Sequence, residues 1–188
     1  PGICGVDTRT LTKRLRVHGV MLGVLEVCDE EKELNLDELV KEAENVEDPD
    51  RRDLVAEVSI GEPLICGDNG DGKKPTIVLV DCGAKMSIMR KLLERNLRVI
   101  RVPYDATEDE ILEFKPDGFV VSNGPGDPKM CVKTIETVRE LLNERLPMFS
   151  ICLGNQIFAL AMGGSTFKLK FGHRSVNSPI IDLSSGRC

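Results

Sequence analysis

From residue 76 onward, apolar positions gather in short dense runs separated by polar stretches of helical spacing. Residues 76–80 (TIVLV) are wholly apolar and largely β-branched, as strands buried on both faces of a parallel sheet are. Ile88, Met89, Leu92 and Leu93 then fall on one helix face. Residues 97–102 read as a second strand, and Thr107 with Glu110 forms a capping box that opens a short helix. Residues 118–121 predict a third strand, Val132, Ile135, Val138 and Leu142 a third helix, 147–151 a fourth strand and 154–162 a fourth helix. Strands alternating with helices at this spacing imply an α/β fold, a parallel sheet covered by helices on both faces. Ligands of such sheets lie beyond the carboxyl ends of the strands, where the loops 122–128 and 152–156 fall.

The first third of the chain is patterned less clearly. Asp7 offers an N-cap ahead of Leu11 and Leu15, residues 21–27 resemble a strand, 36–46 a second amphipathic helix, and 54–60 alternate enough for another strand. Residues 61–75 (GEPLICGDNGDGKKP) are rich in Gly, Pro, Asp and Lys and read as a linker. The expected division is therefore 1–62 as the remnant of a smaller N-terminal α+β domain, 63–75 as linker, and 76–188 as the main domain. Because the chain opens at Pro1 and stops at Cys188 without a closing element, both ends are expected to be truncations.

Composition narrows the classes. At 41% hydrophobic and 30% charged the 188 residues are globular in character, and with 4% aromatics and no Trp the core must be mostly aliphatic. A net charge of -6 argues against nucleic acid or an anionic membrane as the main partner. No apolar run reaches the ~18 residues of a spanning helix. Seven cysteines, an odd number without a CxxC pair, suggest neither a disulfide framework nor a metal site, and a reducing cytoplasm fits them.

Two motifs carry chemistry. Ser150-Ile151-Cys152-Leu153-Gly154 lies between a strand and a helix and has small residues flanking a cysteine, as a nucleophile elbow needs for its sharp turn. The turn sets the cysteine at a helix N-terminus, where the dipole and free N–H groups favour an anion, and the Leu153 N–H is placed to donate to an oxyanion. A lone cysteine at a strand–helix junction is ordinarily a small packed residue; the five-residue pattern shifts the balance to a nucleophile. The second motif, residues 122–128 (SNGPGDP), packs two Gly and two Pro into seven positions, which lets backbone N–H groups approach a ligand, though glycine-rich turns are common. The remaining cysteines, Cys82 and Cys131 among them, read as packing or surface residues. A cysteine nucleophile wants a histidine base. His173 stands about 21 residues past Cys152 and reads better as a loop residue; His18 reads as solvated, and Lys168, Lys170, His173 and Arg174 as a solvated basic cluster.

Taken together, residues 121–128 (VSNGPGDP) and 151–156 (ICLGNQ) resemble the class I glutamine amidotransferases. Residues 1–16 (PGICGVDTRTLTKRLR), 80–92 (VDCGAKMSIMRKL) and 168–179 resemble, within that family, the small subunits of carbamoyl-phosphate synthetases. The resemblance implies a flavodoxin-like sheet, here incomplete, and a glutaminase. In it Cys152 forms a glutamyl thioester, backbone N–H groups of Leu153 and of the Gly124–Gly126 loop hold the oxyanion, and Gly124, Gly126 and Gln156 hold glutamine. It further implies that a histidine and a glutamate in an H-P-E stretch lie beyond Cys188. The released ammonia would pass to a large subunit, which alone uses ATP, Mg and bicarbonate, and this chain would need no cofactor or metal. Without the H-P-E stretch the 188 residues are expected to be nearly inactive. Two positions depart from the pattern: Ser150 replaces the usual Gly, and Asn155 stands where many members have His. The glutaminase of another amidotransferase, a thiol hydrolase with a cysteine elbow, and a non-catalytic regulatory homologue remain as alternatives.

Overall fold

The computed structural model describes residues 2–27, 34–67, 74–170, 172 and 179–188. By packing the chain forms two compact units, Pro1–Val46 with Phe167–Cys188, and Glu47–Thr166.

In the first unit, α1 (Thr8–His18) starts where the Asp7 carboxylate accepts the Thr10 N–H at 2.9 Å, and α2 (Leu36–Asn45) starts at Asn35 in the same way. Neither helix has a buried residue. Residues 21–27, expected as a strand, form no regular element. Among the described residues this run joins no ladder, and an extended segment becomes a stable strand only within a sheet.

The second unit carries the sheet. Among the described residues five strands lie in the order β1-β3-β2-β4-β5: β1 (Leu64–Cys66), β2 (Thr76–Asp81), β3 (Arg98–Pro103), β4 (Gly118–Val121) and β5 (Met148–Ser150). All neighbours are parallel except β1, which runs antiparallel to β3 with Ile65 opposite Ile100. Side chains alternate across the pleat, so one strand feeds two layers. On one face, Val78 and Val80 of β2, Ile100 and Val102 of β3, and Phe119 and Val121 of β4 meet Ile111, Val138, Leu141, Leu153 and Ile157. These come from α5 (Glu108–Glu113), α6 (Val132–Leu141) and α7 (Leu153–Ala161). On the other face, Leu79, Val99 and Val120 meet Met89 of α4 (Met86–Leu93). Beside α4 an apolar cleft of about 790 Å³ stays open, lined by Ile88, Leu92, Val120, Phe149 and Ile151 among others. Helices on both faces of a mostly parallel sheet are the α/β, flavodoxin-like class that the pattern and the resemblance imply.

Three local expectations need correction. Residues 54–60 form no strand; Leu54–Val58 is a short helix, α3, capped by the Asp53 carboxylate on the Ala56 N–H at 3.1 Å. Five apolar-rich residues fit either period, and the cap together with the single inward side chain, Val55, decides for the helix. The stretch 61–75 is not all linker, because its apolar triplet becomes the edge strand β1. In α6 the inward stripe is rotated: Val132 is exposed, whereas Thr134 and Thr137 are buried and donate to the carbonyls of Tyr104 and Ala106 at 2.7 and 2.9 Å. Among the described residues no helix is long and apolar enough to cross a membrane.

Candidate active site

From β2 the chain crosses to β3 on one side, and the next strand, β4, pairs with β2 on the other. That reversal leaves a crevice at the carboxyl ends of β2 and β4, where the loops cannot close over one another. Three loops open there: 82–85 after β2, 122–128 after β4, and 151–152 between β5 and α7.

Cys152 stands in the last of these with φ 54 and ψ -107, a backbone that a side-chain-bearing residue adopts only under constraint. The constraint is visible on both sides. Ile151 N–H donates to the Val121 carbonyl at 3.0 Å, and Gly154 N–H to the Ser122 carbonyl at 3.1 Å. A Cβ on Gly154 would overlap the Val121 carbonyl and lie 2.9 Å from that of Ser122, so only glycine lets α7 start this close to β4. The thiol is left exposed at the first turn of α7. Asn155 and Gln156 N–H groups both donate to the Cys152 carbonyl, at 3.0 and 3.2 Å, and their side chains are exposed. Leu153, as the first residue of α7, has no intrahelical acceptor for its N–H.

The glycine loop lies against this elbow. A Cβ on Gly124 would overlap the Cys82 carbonyl and stand 2.6 Å from a methyl of Leu153, so Gly124 is wedged between the β2 loop and α7. Gly126 has φ 81 and faces Leu54 of α3. Of the residues singled out from the sequence, Gly124 and Leu153 are therefore packed together, Cys152 directly precedes Leu153, Gln156 sits one turn along α7, and Gly126 faces α3 on the same loop. His18 is exposed at the end of α1 in the other unit, and His173 and Arg174 lie outside the described residues.

Sequence reasoning included Ser122 and Asn123 in the motif without a role for them and missed Asp81; these three hold the glycine loop in place. The Ser122 hydroxyl, fully buried, accepts the Cys82 N–H at 2.9 Å and donates to the Asn123 carbonyl at 2.8 Å. The Asn123 side chain accepts the Lys85 N–H at 3.1 Å and donates to the Gly83 carbonyl at 3.0 Å. Beneath them the buried Asp81 carboxylate accepts four hydrogen bonds. The available signal was a carboxylate directly after an apolar strand, which must be buried and therefore partnered. Cys82 and Cys131 are buried, packing residues rather than surface ones. Burial pushes both thiols up, that of Cys131 to about 12, so neither is a thiolate near neutral pH.

The sequence model described as glutamine amidotransferase class-I matches residues 78–187. The chain belongs to that family. Its similarity extends over the whole chain to proteins called carbamoyl phosphate synthase small chain: 49% identity to that of Methanopyrus kandleri and 48% to that of Listeria innocua, each over 100% of this chain. The alignment covers 50% and 48% of those two proteins, so the chain spans about half the length of the curated relatives it matches. A solved chain from Thermoplasma acidophilum, described as belonging to a candidate GMP synthase, overlaps 49% of this chain and 47% of its own at 28% identity, with a TM-score of 0.43, too partial a likeness to carry an argument.

Proposed function

We propose that the full-length protein carrying this chain is the glutaminase subunit of a cytoplasmic, glutamine-dependent carbamoyl-phosphate synthetase. The supporting observation is the exposed Cys152 thiol on a backbone held at φ 54, directly before Leu153, whose side chain abuts Gly124. In the proposed reaction the Cys152 sulfur attacks the side-chain carbonyl carbon of glutamine, and the carbonyl electron pair moves onto oxygen. The Leu153 N–H and the N–H groups of the Gly124–Gly126 loop stabilise that oxyanion, a contribution worth about 10²–10³ in rate per donor. Collapse of the intermediate expels the amine, which leaves as ammonia after accepting a proton, and a glutamyl thioester remains. Water then cleaves the thioester to glutamate and frees the sulfur. Gln156, on the exposed side of the first turn of α7, is proposed to contact the substrate. The histidine base is expected outside these 188 residues, in which no H-P-E stretch occurs, so the chain alone should release little ammonia. The relatives' printed name, carbamoyl phosphate synthase small chain, supports a larger chain as partner, and the proposal assigns to that chain the combination of ammonia with bicarbonate at the expense of ATP.

The test is ammonia release from glutamine by the full-length protein beside Cys152→Ala. Release that disappears in the variant is expected, followed by carbamoyl phosphate once the large subunit, ATP and bicarbonate are added. No release even with the large subunit present would refute the enzymatic reading and leave a binding or regulatory role.

A further inference from the structure

Resting on that reading, we propose that Asp81, which is remote from the thiol in sequence and fully buried, is a positioning residue that sets the shape of the glycine loop for glutamine hydrolysis. Asp81 ends β2, and its two carboxylate oxygens divide their work. One accepts the Gly83 N–H at 3.1 Å and the Ala84 N–H at 2.7 Å, folding the β2 loop back on the strand end. The other accepts the Ile60 N–H at 2.8 Å and an Arg101 guanidinium N–H at 2.8 Å.

Each of these oxygens leads to the glycine loop. Gly83, at φ 108, offers its carbonyl to Asn123, while the N–H of Lys85 meets the other end of the same side chain; the carbonyl of Cys82 forms the wall that Gly124 abuts. The Ile60 attachment holds the end of α3, whose Val58 lies against Gly83 and whose Leu54 faces Gly126. One carboxylate thus anchors both supports of residues 122–126, the bed below and the helix alongside. A carboxylate with its acceptor capacity filled by backbone N–H groups and a guanidinium is held rigidly, and rigidity is what a preformed oxyanion site needs.

The positioning role is separable from a folding role by counting sites. A diazoketone analogue of glutamine that alkylates the nucleophile titrates competent Cys152, and turnover is then expressed per titrated site in the full-length protein with its large subunit. Asp81→Ala should lower turnover per site about 100-fold, the scale of a displaced catalytic group, with KM for glutamine changed much less. Asp81→Asn, whose carboxamide oxygen still accepts from Gly83 and Ala84, should recover part of the loss. Because either variant strands Arg101, Asp81→Asn with Arg101→Met serves where the single variants fold poorly, and it should show turnover per site reduced below wild type to the level expected of Asp81→Asn. Normal turnover per site, or failure of all three variants to yield titratable sites, would make Asp81 a folding residue and overturn the proposal. Wild-type protein without any glutamine turnover would instead refute the glutaminase reading.

Discussion

Cys152 holds a backbone conformation that costs on the order of 1–3 kcal/mol for a residue with a side chain, and the flanking contacts with β4 are what maintain it. Gly154 is the narrowest of these. Gly154→Ala must push α7 away from the Val121 and Ser122 carbonyls, and overpacking of this kind costs about 1–3 kcal/mol. Urea unfolding should show that loss. Buried thiols give a pH prediction. The Cys131 thiol, raised by burial to about 12 from an ordinary 9, stays protonated in the folded chain while the unfolded chain ionises. Its contribution to stability is therefore complete below about pH 9 and is lost as pH rises toward 12. Urea midpoints measured across that window should fall more steeply for the wild type than for Cys131→Ala.

At the scale of elements, the same residue type carries different weight according to the layer it enters. Phe119 on β4 is 1% exposed in the core cluster that α6 and α7 help to form, whereas Phe149 on β5 is 65% exposed and lines the open cleft. Phe119→Ala should cost about 3–5 kcal/mol, and Phe149→Ala no more than about 1 kcal/mol, compared by urea unfolding. Local signals were strongest where an element closes on itself. The capping box of α5 was legible because both of its bonds lie within four residues, Thr107 to the Glu110 N–H and Glu110 back to the Thr107 N–H. Residues 54–58 were misread because their alternation fits a strand equally well, and the Asp53 cap with the inward Val55 separates the two.

At the scale of the molecule, the residues ahead of β2 belong partly to the sheet unit. Ile60 N–H reaches Asp81, the Ser59 hydroxyl accepts the Tyr104 N–H at 3.0 Å, and the Tyr104 hydroxyl donates to Asp53 at 3.2 Å. A chain starting at Glu47 should keep these and melt near the full chain, whereas one starting at Glu62 loses them together with the buried Val55 and should melt lower, as thermal unfolding followed by circular dichroism would record. Hydrogen exchange should likewise be slow in β2, β3 and β4 and fast in α1 and α2, which bury no residue.

The order of residues was enough to predict the alternation of β2 to α7, because each of those elements has a period of its own and buried parallel strands are apolar throughout. It also marked Cys152, Leu153, Gly124 and Gly126, since a sharp turn and a close backbone approach restrict residue choice locally, while Gln156 entered only through the family resemblance. Folding in three dimensions was needed to show that residues 64–66 pair with β3, that 54–58 coil beside the glycine loop, that Thr134 and Thr137 face inward, and that Asp81 lies beneath that loop. In each of those cases the deciding partner lies about twenty or more residues away, or on another element, and no local period encodes the identity of a distant neighbour.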